Sequence, residues 1–177
     1  GGFAEYVLVS ESQLVKIDDD FPMELASLLA CGVITGFGAV VNRARVRPFE
    51  SVVVVGTGGV GLNAVQGALT CGANPIIAVD IVDSKLQRAR QFGATHGVNS
   101  ASVDAVETVK EITGGKGVDY AFVTVGSAGA MQQAFAMLCR GGSAVMVGIP
   151  PATDPLVGVP AAELAINEKT LTGGFMG

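Results

Sequence analysis

The stretch Ser51-Val52-Val53-Val54-Val55-Gly56-Thr57-Gly58-Gly59-Val60-Gly61-Leu62 decides the fold. Its four consecutive valines are β-branched and too few for a helix, so they read as a strand buried on both faces. The turn behind them fits G-x-G-x-x-G, with Gly56, Gly58 and Gly61 in the fixed places and Thr57, Gly59 and Val60 between them. A helical segment then runs to about Thr70. The three glycines serve different physical ends. Gly56 permits the sharp strand-to-helix turn, Gly58 admits a pyrophosphate to the backbone, and Gly61 lets the helix pack close to the sheet. The helix start offers free N–H groups and a partial positive charge to the phosphates. The next strand, 76–79, ends at Asp80, 19 residues after Gly61. A carboxylate there can accept hydrogen bonds from both adenosine ribose hydroxyls and repel a 2′-phosphate, and Ile81 and Val82 supply no adjacent arginine. The segment is therefore expected to bind NAD rather than NADP.

Outward from this segment, strands are expected at 95–98, 120–125, 144–147 and 170–175. Helices are expected at 83–92, with Asp83 as N-cap and Gly93 as stop, and at 103–112, 128–138 and 161–168. The fold class is α/β: a doubly wound, parallel, six-stranded Rossmann sheet with helices on both faces. The first fifty residues break the rhythm. Short strands are expected at 5–9 and 14–17 and helices at 23–30 and 33–45, which gives a division into residues 1–32, a connecting helix at 33–50, and the coenzyme domain at 51–177.

Composition narrows the function classes. Of 177 residues, 49% are hydrophobic and 15% charged, enough for one large core. The net charge of −5, with 11 scattered basic residues, offers no footprint for nucleic acid. Interrupted apolar stretches imply no membrane-spanning run and no membrane partner. Three widely spaced cysteines, Cys31, Cys71 and Cys139, argue against a disulfide framework and suit the cytoplasm. The chain begins Gly1-Gly2 without Met, so an upstream segment is expected to be missing.

The chain resembles the zinc-dependent medium-chain alcohol dehydrogenases, including their class III, glutathione-dependent formaldehyde dehydrogenase branch. The resemblance rests on residues 3–6, 29–38, 55–62, 79–81 with Lys85, 92–95 and 147–150. It implies that residues 1–32 are a strip of a GroES-like catalytic domain and that Cys31 is one of three protein ligands to a catalytic zinc. It also places Thr35 near the nicotinamide and Lys85 at the adenosine ribose. Backbone groups at Val147, Gly174 and Met176 would bind the nicotinamide carboxamide, within a segment that includes Gly148, and Ile149 would pack on the ring. Val125 and Gly126 would cover the adenosine half. The substrate implied is a small alcohol or aldehyde, and the assembly a homodimer or larger homo-oligomer formed through the last Rossmann strand.

The sequence also departs from that family. The other zinc ligands, the four-cysteine structural-zinc lobe and the proton-relay residues have no counterpart. The only histidine, His96, is expected at a strand entry, and Cys71 and Cys139 are expected as core thiols within helices. The 177-residue chain is thus expected to bind NAD without oxidising alcohol by itself, and to expose apolar surface at 3–9 and 21–38. Three alternatives stand beside this reading: a zinc-free NADPH quinone or enoyl reductase, a non-catalytic NAD-sensing module, and a methyltransferase with the same turn. Cys31, Asp80 and residues 147–150 weigh against the first and last.

Overall fold

The structure is a computed structural model and describes residues 3–153 and 157–176. In chain order the elements are helix α1 (Met23–Ala44), β1 (Val52–Val55), α2 (Gly59–Thr70), β2 (Ile76–Asp80), α3 (Asp83–Gln91), β3 (His96–Asn99), α4 (Ala105–Ile112), β4 (Val118–Val123), α5 (Ala128–Ala136), β5 (Leu138–Met146), α6 (Ala161–Ile166) and β6 (Thr170–Gly173). The six strands form one parallel sheet ordered β3-β2-β1-β4-β5-β6. The valine run takes the central place its composition demands. Val52, Val53 and Val54 are fully buried, and each such side chain contributes about 1.5 to 3 kcal/mol relative to an exposed one.

Alternation along the strands divides the core in two. Val52, Val54, Ile76, Ala78, Phe122 and Val145 face Ala39 and Val40 of α1, Ala64, Val65 and Ala68 of α2, and Leu86 and Ala89 of α3. Val53, Val55, Ile77, Val79, Ala121 and Val123 face Val109 of α4 and Met131, Ala134 and Phe135 of α5. The N-terminus of α4 is capped by Asp104, whose carboxylate accepts from Val106 N–H at 2.9 Å and Glu107 N–H at 3.1 Å. On the first face, α1 and α2 approach backbone to backbone. A Cβ on Gly36 would overlap the Val60 carbonyl oxygen, and one on Gly67 would lie 3.2 Å from the Phe37 carbonyl oxygen.

The N-terminal region differs most from expectation. No strand forms at 5–9 or 14–17: both segments are irregular and, apart from the half-buried Ile17, exposed, with a 3₁₀ turn at Glu11–Gln13 between them. Extended segments become strands only by pairing, and among the described residues this one has no pairing strand. The two expected helices are one, because π-helical turns at Leu29–Val33 and Ala39–Ala44 carry the helix past Cys31 and Gly32 instead of ending it. That helix has the length and apolar composition to cross a membrane, contrary to the expectation that no stretch does. Apolar surface is exposed as expected over 3–9 and the first part of 21–38, at Phe3, Tyr6, Leu8, Met23 and Leu28, whereas Gly36 and Gly38, at the end of that strip, are docked together with Ala39 and Val40.

Smaller shifts have local causes. Strand β5 starts at Leu138, not 144, passing through Gly141 at φ +77° with a register shift against β4. Cys139 consequently lies in a strand rather than a helix. Strand β4 spans 118–123 and β6 stops at Gly173, so Val125, Gly126 and Gly174 fall in the loops behind them. Val82 is the N-cap of α3 and Asp83 its first residue, where its carboxylate accepts from the Asn99 amide at 2.7 Å. Helix α6 ends at Ile166, before Glu168 at φ +53°. His96 opens β3, exposed, with its Nδ1 2.9 Å from the Thr95 hydroxyl.

Candidate coenzyme site

Sheet growth reverses between β1 and β4: β2 and β3 add on one side, β4 to β6 on the other. Loops leaving β1 and β4 therefore diverge, and a crevice opens outside their carboxyl ends. The glycine turn lies in it. Gly56 has φ +89°, a left-handed conformation, and a Cβ there would strike the Val125 side chain. At Gly61 a Cβ would overlap the Gly56 carbonyl oxygen, so only glycine lets α2 start this close to the strand. Around Gly58 nothing lies within 4 Å of an added Cβ. The first bond within α2 runs from Leu62 N–H to Gly58 C=O at 2.8 Å, leaving the preceding turn N–H groups without an intrahelical acceptor.

Two clefts flank the turn. One, of about 540 Å³, is lined by Gly56, Asp80, Ile81, Lys85, Ser100 and Val125, with Ser127 and Gln133 at its α5 side. Asp80 is the buried acid of this cleft, 8% exposed. Its Oδ2 accepts from Thr57 N–H at 2.8 Å and from the Thr57 hydroxyl at 3.0 Å, and its Oδ1 accepts from Val82 N–H at 3.1 Å. The Lys85 ammonium is 3.9 Å from Oδ1. Burial alone pushes the carboxyl up, but the two Thr57 donors, Lys85 and Val82 outweigh it and hold the carboxyl below its ordinary range.

The other cleft, of about 330 Å³, is lined by Cys31, Thr35, Val60, Thr124, Val147, Gly148, Ile149, Gly174 and Met176. Three separate segments named in sequence for one nicotinamide site, Thr35, residues 147–149 and the pair Gly174 and Met176, thus surround one space together with Cys31. The close crossing of α1 over α2 at Gly36 brings Thr35 and Cys31 there. The loops after β4 and β5 also touch: a Cβ on Gly126 would meet the Ile149 carbonyl oxygen, and one on Gly148 the Val125 carbonyl oxygen. Gly126 and Gly148 are thereby explained by loop packing.

Three features have no signal in the sequence. The Thr124 hydroxyl donates to the Gly56 carbonyl at 2.7 Å and pins the turn to β4. Arg43, at the end of α1, donates from Nε to the Gly173 carbonyl at 3.0 Å and from its guanidinium to the Thr172 hydroxyl, holding β6 against α1. Thr57 is 2% exposed and bonded to Asp80 rather than facing a ligand. Each depends on which strand neighbours which, and no spacing in the chain encodes that directly.

The residues present fit a dinucleotide: an open place at Gly58, N–H groups at the start of α2 that have no intrahelical acceptor, and an ionised acid at the end of β2. They do not fit a zinc ion. Among the described residues, no three His, Cys, Asp or Glu side chains stand close enough to hold a metal, and Cys31 is an exposed thiol. Cys71 and Cys139 are half-buried, and burial raises both thiols above their ordinary value.

Sheet order, turn and acid together define a dinucleotide-binding Rossmann domain. The family profile described as "Zinc-binding dehydrogenase" matches residues 59–177, and the chain belongs to that family. It is 38% identical over 179 residues to a putative alcohol dehydrogenase D of Mycobacterium tuberculosis, covering 100% of this chain and 48% of the relative. It is 40% identical to alcohol dehydrogenase 1 of Pisum sativum, covering 99% of this chain and 46% of the relative. Among solved structures, benzyl alcohol dehydrogenase from Acinetobacter calcoaceticus superposes with a TM-score of 0.88 at 41% identity, covering 92% of this chain and 44% of that one. The chain thus spans about half the length of these relatives.

Proposed function

We propose that this chain is the NAD-binding portion of a zinc-dependent alcohol dehydrogenase, with the class III branch as the narrower assignment, and that residues 51–177 are its coenzyme domain. Residues 1–32 are read as a strip of the catalytic domain and 33–50 as the connection. The observation that carries the reading is the convergence of Cys31, Thr35, residues 147–149, Gly174 and Met176 on one cleft next to the glycine turn. Bound NAD would accept a hydride from the alcohol carbon at its nicotinamide ring. The chain's own residues bind and orient it. Turn N–H groups hold the pyrophosphate, Asp80 and Lys85 take the adenosine ribose, Val125 and Gly126 cover the adenosine half, and Val147, Gly148, Ile149, Gly174 and Met176 frame the nicotinamide.

Cys31 is proposed as one metal ligand in the intact enzyme, the others coming from outside these 177 residues, because a catalytic zinc needs three protein ligands. The substrate is a small alcohol or aldehyde. A homodimer through β6 is supported by that strand's place at the sheet edge, where unpaired backbone needs a partner or a cover. Three free thiols support a cytoplasmic setting. The test is a fluorescence titration of the chain with NADH and NADPH. Saturable NADH binding with much weaker NADPH binding is expected; equal affinities, or preference for NADPH, would favour the quinone reductase reading instead.

A further inference from the structure

Thr57 occupies the first variable place of G-x-G-x-x-G, where the backbone of the turn makes no demand on the side chain. Its hydroxyl is nevertheless buried, and both its polar donors point at one atom, Asp80 Oδ2, at 2.8 and 3.0 Å. A carboxylate oxygen has two lone pairs, so Oδ2 is saturated. Oδ1 accepts once, from Val82 N–H, and keeps a lone pair for the cleft that Asp80 shares with Ile81, Lys85 and Ser100.

We propose that Thr57 is a positioning residue for coenzyme selection: it fixes the Asp80 carboxylate by Oδ2 so that Oδ1 alone is presented to the adenosine ribose. This rests on the reading that Asp80 takes that ribose. The consequence is chemical as well as geometric. An ionised, fixed Oδ1 accepts from a ribose hydroxyl and repels a 2′-phosphate, whereas a protonated carboxyl can donate to that phosphate. Thr57 faces Asp80 from the turn after β1 and Lys85 from α3. Among the described residues, Lys85 is the charged group that bears on it. Holding the carboxyl ionised in a buried place, Thr57 keeps the site selective as pH falls.

Calorimetric titration with NAD and NADP between about pH 4.5 and 7.5 tests this on four forms: wild type, Thr57→Val, Thr57→Ser and Asp80→Asn. A lost hydrogen bond to a charged group predicts about tenfold weaker NAD binding for Thr57→Val at neutral pH. The ratio of NADP to NAD affinity should rise, and acid loss of NAD affinity should begin at higher pH. Thr57→Ser, which keeps the hydroxyl, should stay within about twofold of wild type on all three counts. If Asp80→Asn weakens NAD but Thr57→Val changes neither affinity nor acid midpoint, the positioning role is wrong. It is equally wrong if Thr57→Val weakens binding and Thr57→Ser fails to restore it, since the turn's fold would then be the cause. If Asp80→Asn leaves NAD binding unchanged, the ribose reading itself falls and takes this inference with it. Melting temperatures establish folding beforehand, and Thr57→Ala replaces Thr57→Val if the latter does not fold.

Discussion

Replacing Gly58 and Gly61 separately by alanine should split binding from stability, because the structure gives the two glycines opposite surroundings. A methyl group on Gly58 meets nothing within 4 Å, and the residue's φ of −73° and ψ of −166° suit alanine. Loss of a favourable N-cap glycine costs up to about 1 kcal/mol, and the reduced freedom of the unfolded chain returns about 0.4 to 1 kcal/mol. The melting temperature of Gly58→Ala should therefore stay within about 4 °C of wild type. Its methyl group stands where the pyrophosphate must approach. Losing two charge-assisted phosphate bonds at about 1.5 to 3 kcal/mol each predicts at least a hundredfold weaker NADH binding. Gly61→Ala instead drives a methyl group into the Gly56 carbonyl oxygen, which is backbone and has little room to yield. Overpacking of about 1 to 3 kcal/mol should lower its melting temperature by several degrees. Thermal unfolding followed by circular dichroism, with NADH titration by fluorescence, reads both. A Gly58→Ala chain that binds NADH as wild type does, or one that unfolds while Gly61→Ala is unaffected, would refute the assignment of roles within the turn.

Other outcomes follow from the same geometry. Asp80→Gly removes the acid and leaves Lys85 unpaired beside the ribose, so NADH affinity should fall about tenfold while NADPH affinity rises; unchanged NADH preference would remove Asp80 from the site. Because the Asp80 carboxyl is held below its ordinary range, its stabilising contribution is complete above the unfolded carboxylate range and is lost as pH falls through the folded value. The stability gap between wild type and Asp80→Asn, measured by urea unfolding, should accordingly shrink as the pH drops below about 4. Thiol titration with an aromatic disulfide near neutral pH should find Cys31 fast and Cys71 and Cys139 slow, since Cys31 is exposed and burial raises the other two. Three equally fast thiols would contradict the placement of the latter pair.

What the chain makes legible is what short stretches encode. Four valines read as a buried strand, the spacing of the glycines at 56, 58 and 61 marks the turn, and Asp80 follows from where the second strand stops. The doubly wound parallel sheet with helices on both faces also follows from the alternation of strands and helices. The N-terminal region departs from expectation because strand propensity at 5–9 and 14–17 is only half of a strand. Pairing is the other half, and among the described residues those segments have none. The break expected between the helices at 23–30 and 33–45 does not form: the helix absorbs Gly32 in a π-helical turn, and nothing within 4 Å surrounds that glycine to punish or require a side chain. The helix expected to reach 138 stops at Ala136 because β5 already begins at Leu138, and the one expected to reach 168 stops at Ile166, ahead of Glu168 at positive φ. The Thr57 to Asp80 link is invisible in the sequence because it joins side chains 23 positions apart through strand pairing of β1 with β2.

Amide hydrogen exchange of the chain with and without NADH reads where the coenzyme lies without presupposing any residue's role. Protection should concentrate in the turn at residues 57–62, at 80–82, and in the paired loops at 124–126 and 147–149, with the opposite end of the sheet, around Ser51 and Asp119, unchanged. Protection confined to that opposite end, or spread evenly with none at the glycine turn, would contradict the placement of a dinucleotide at the switch point between β1 and β4.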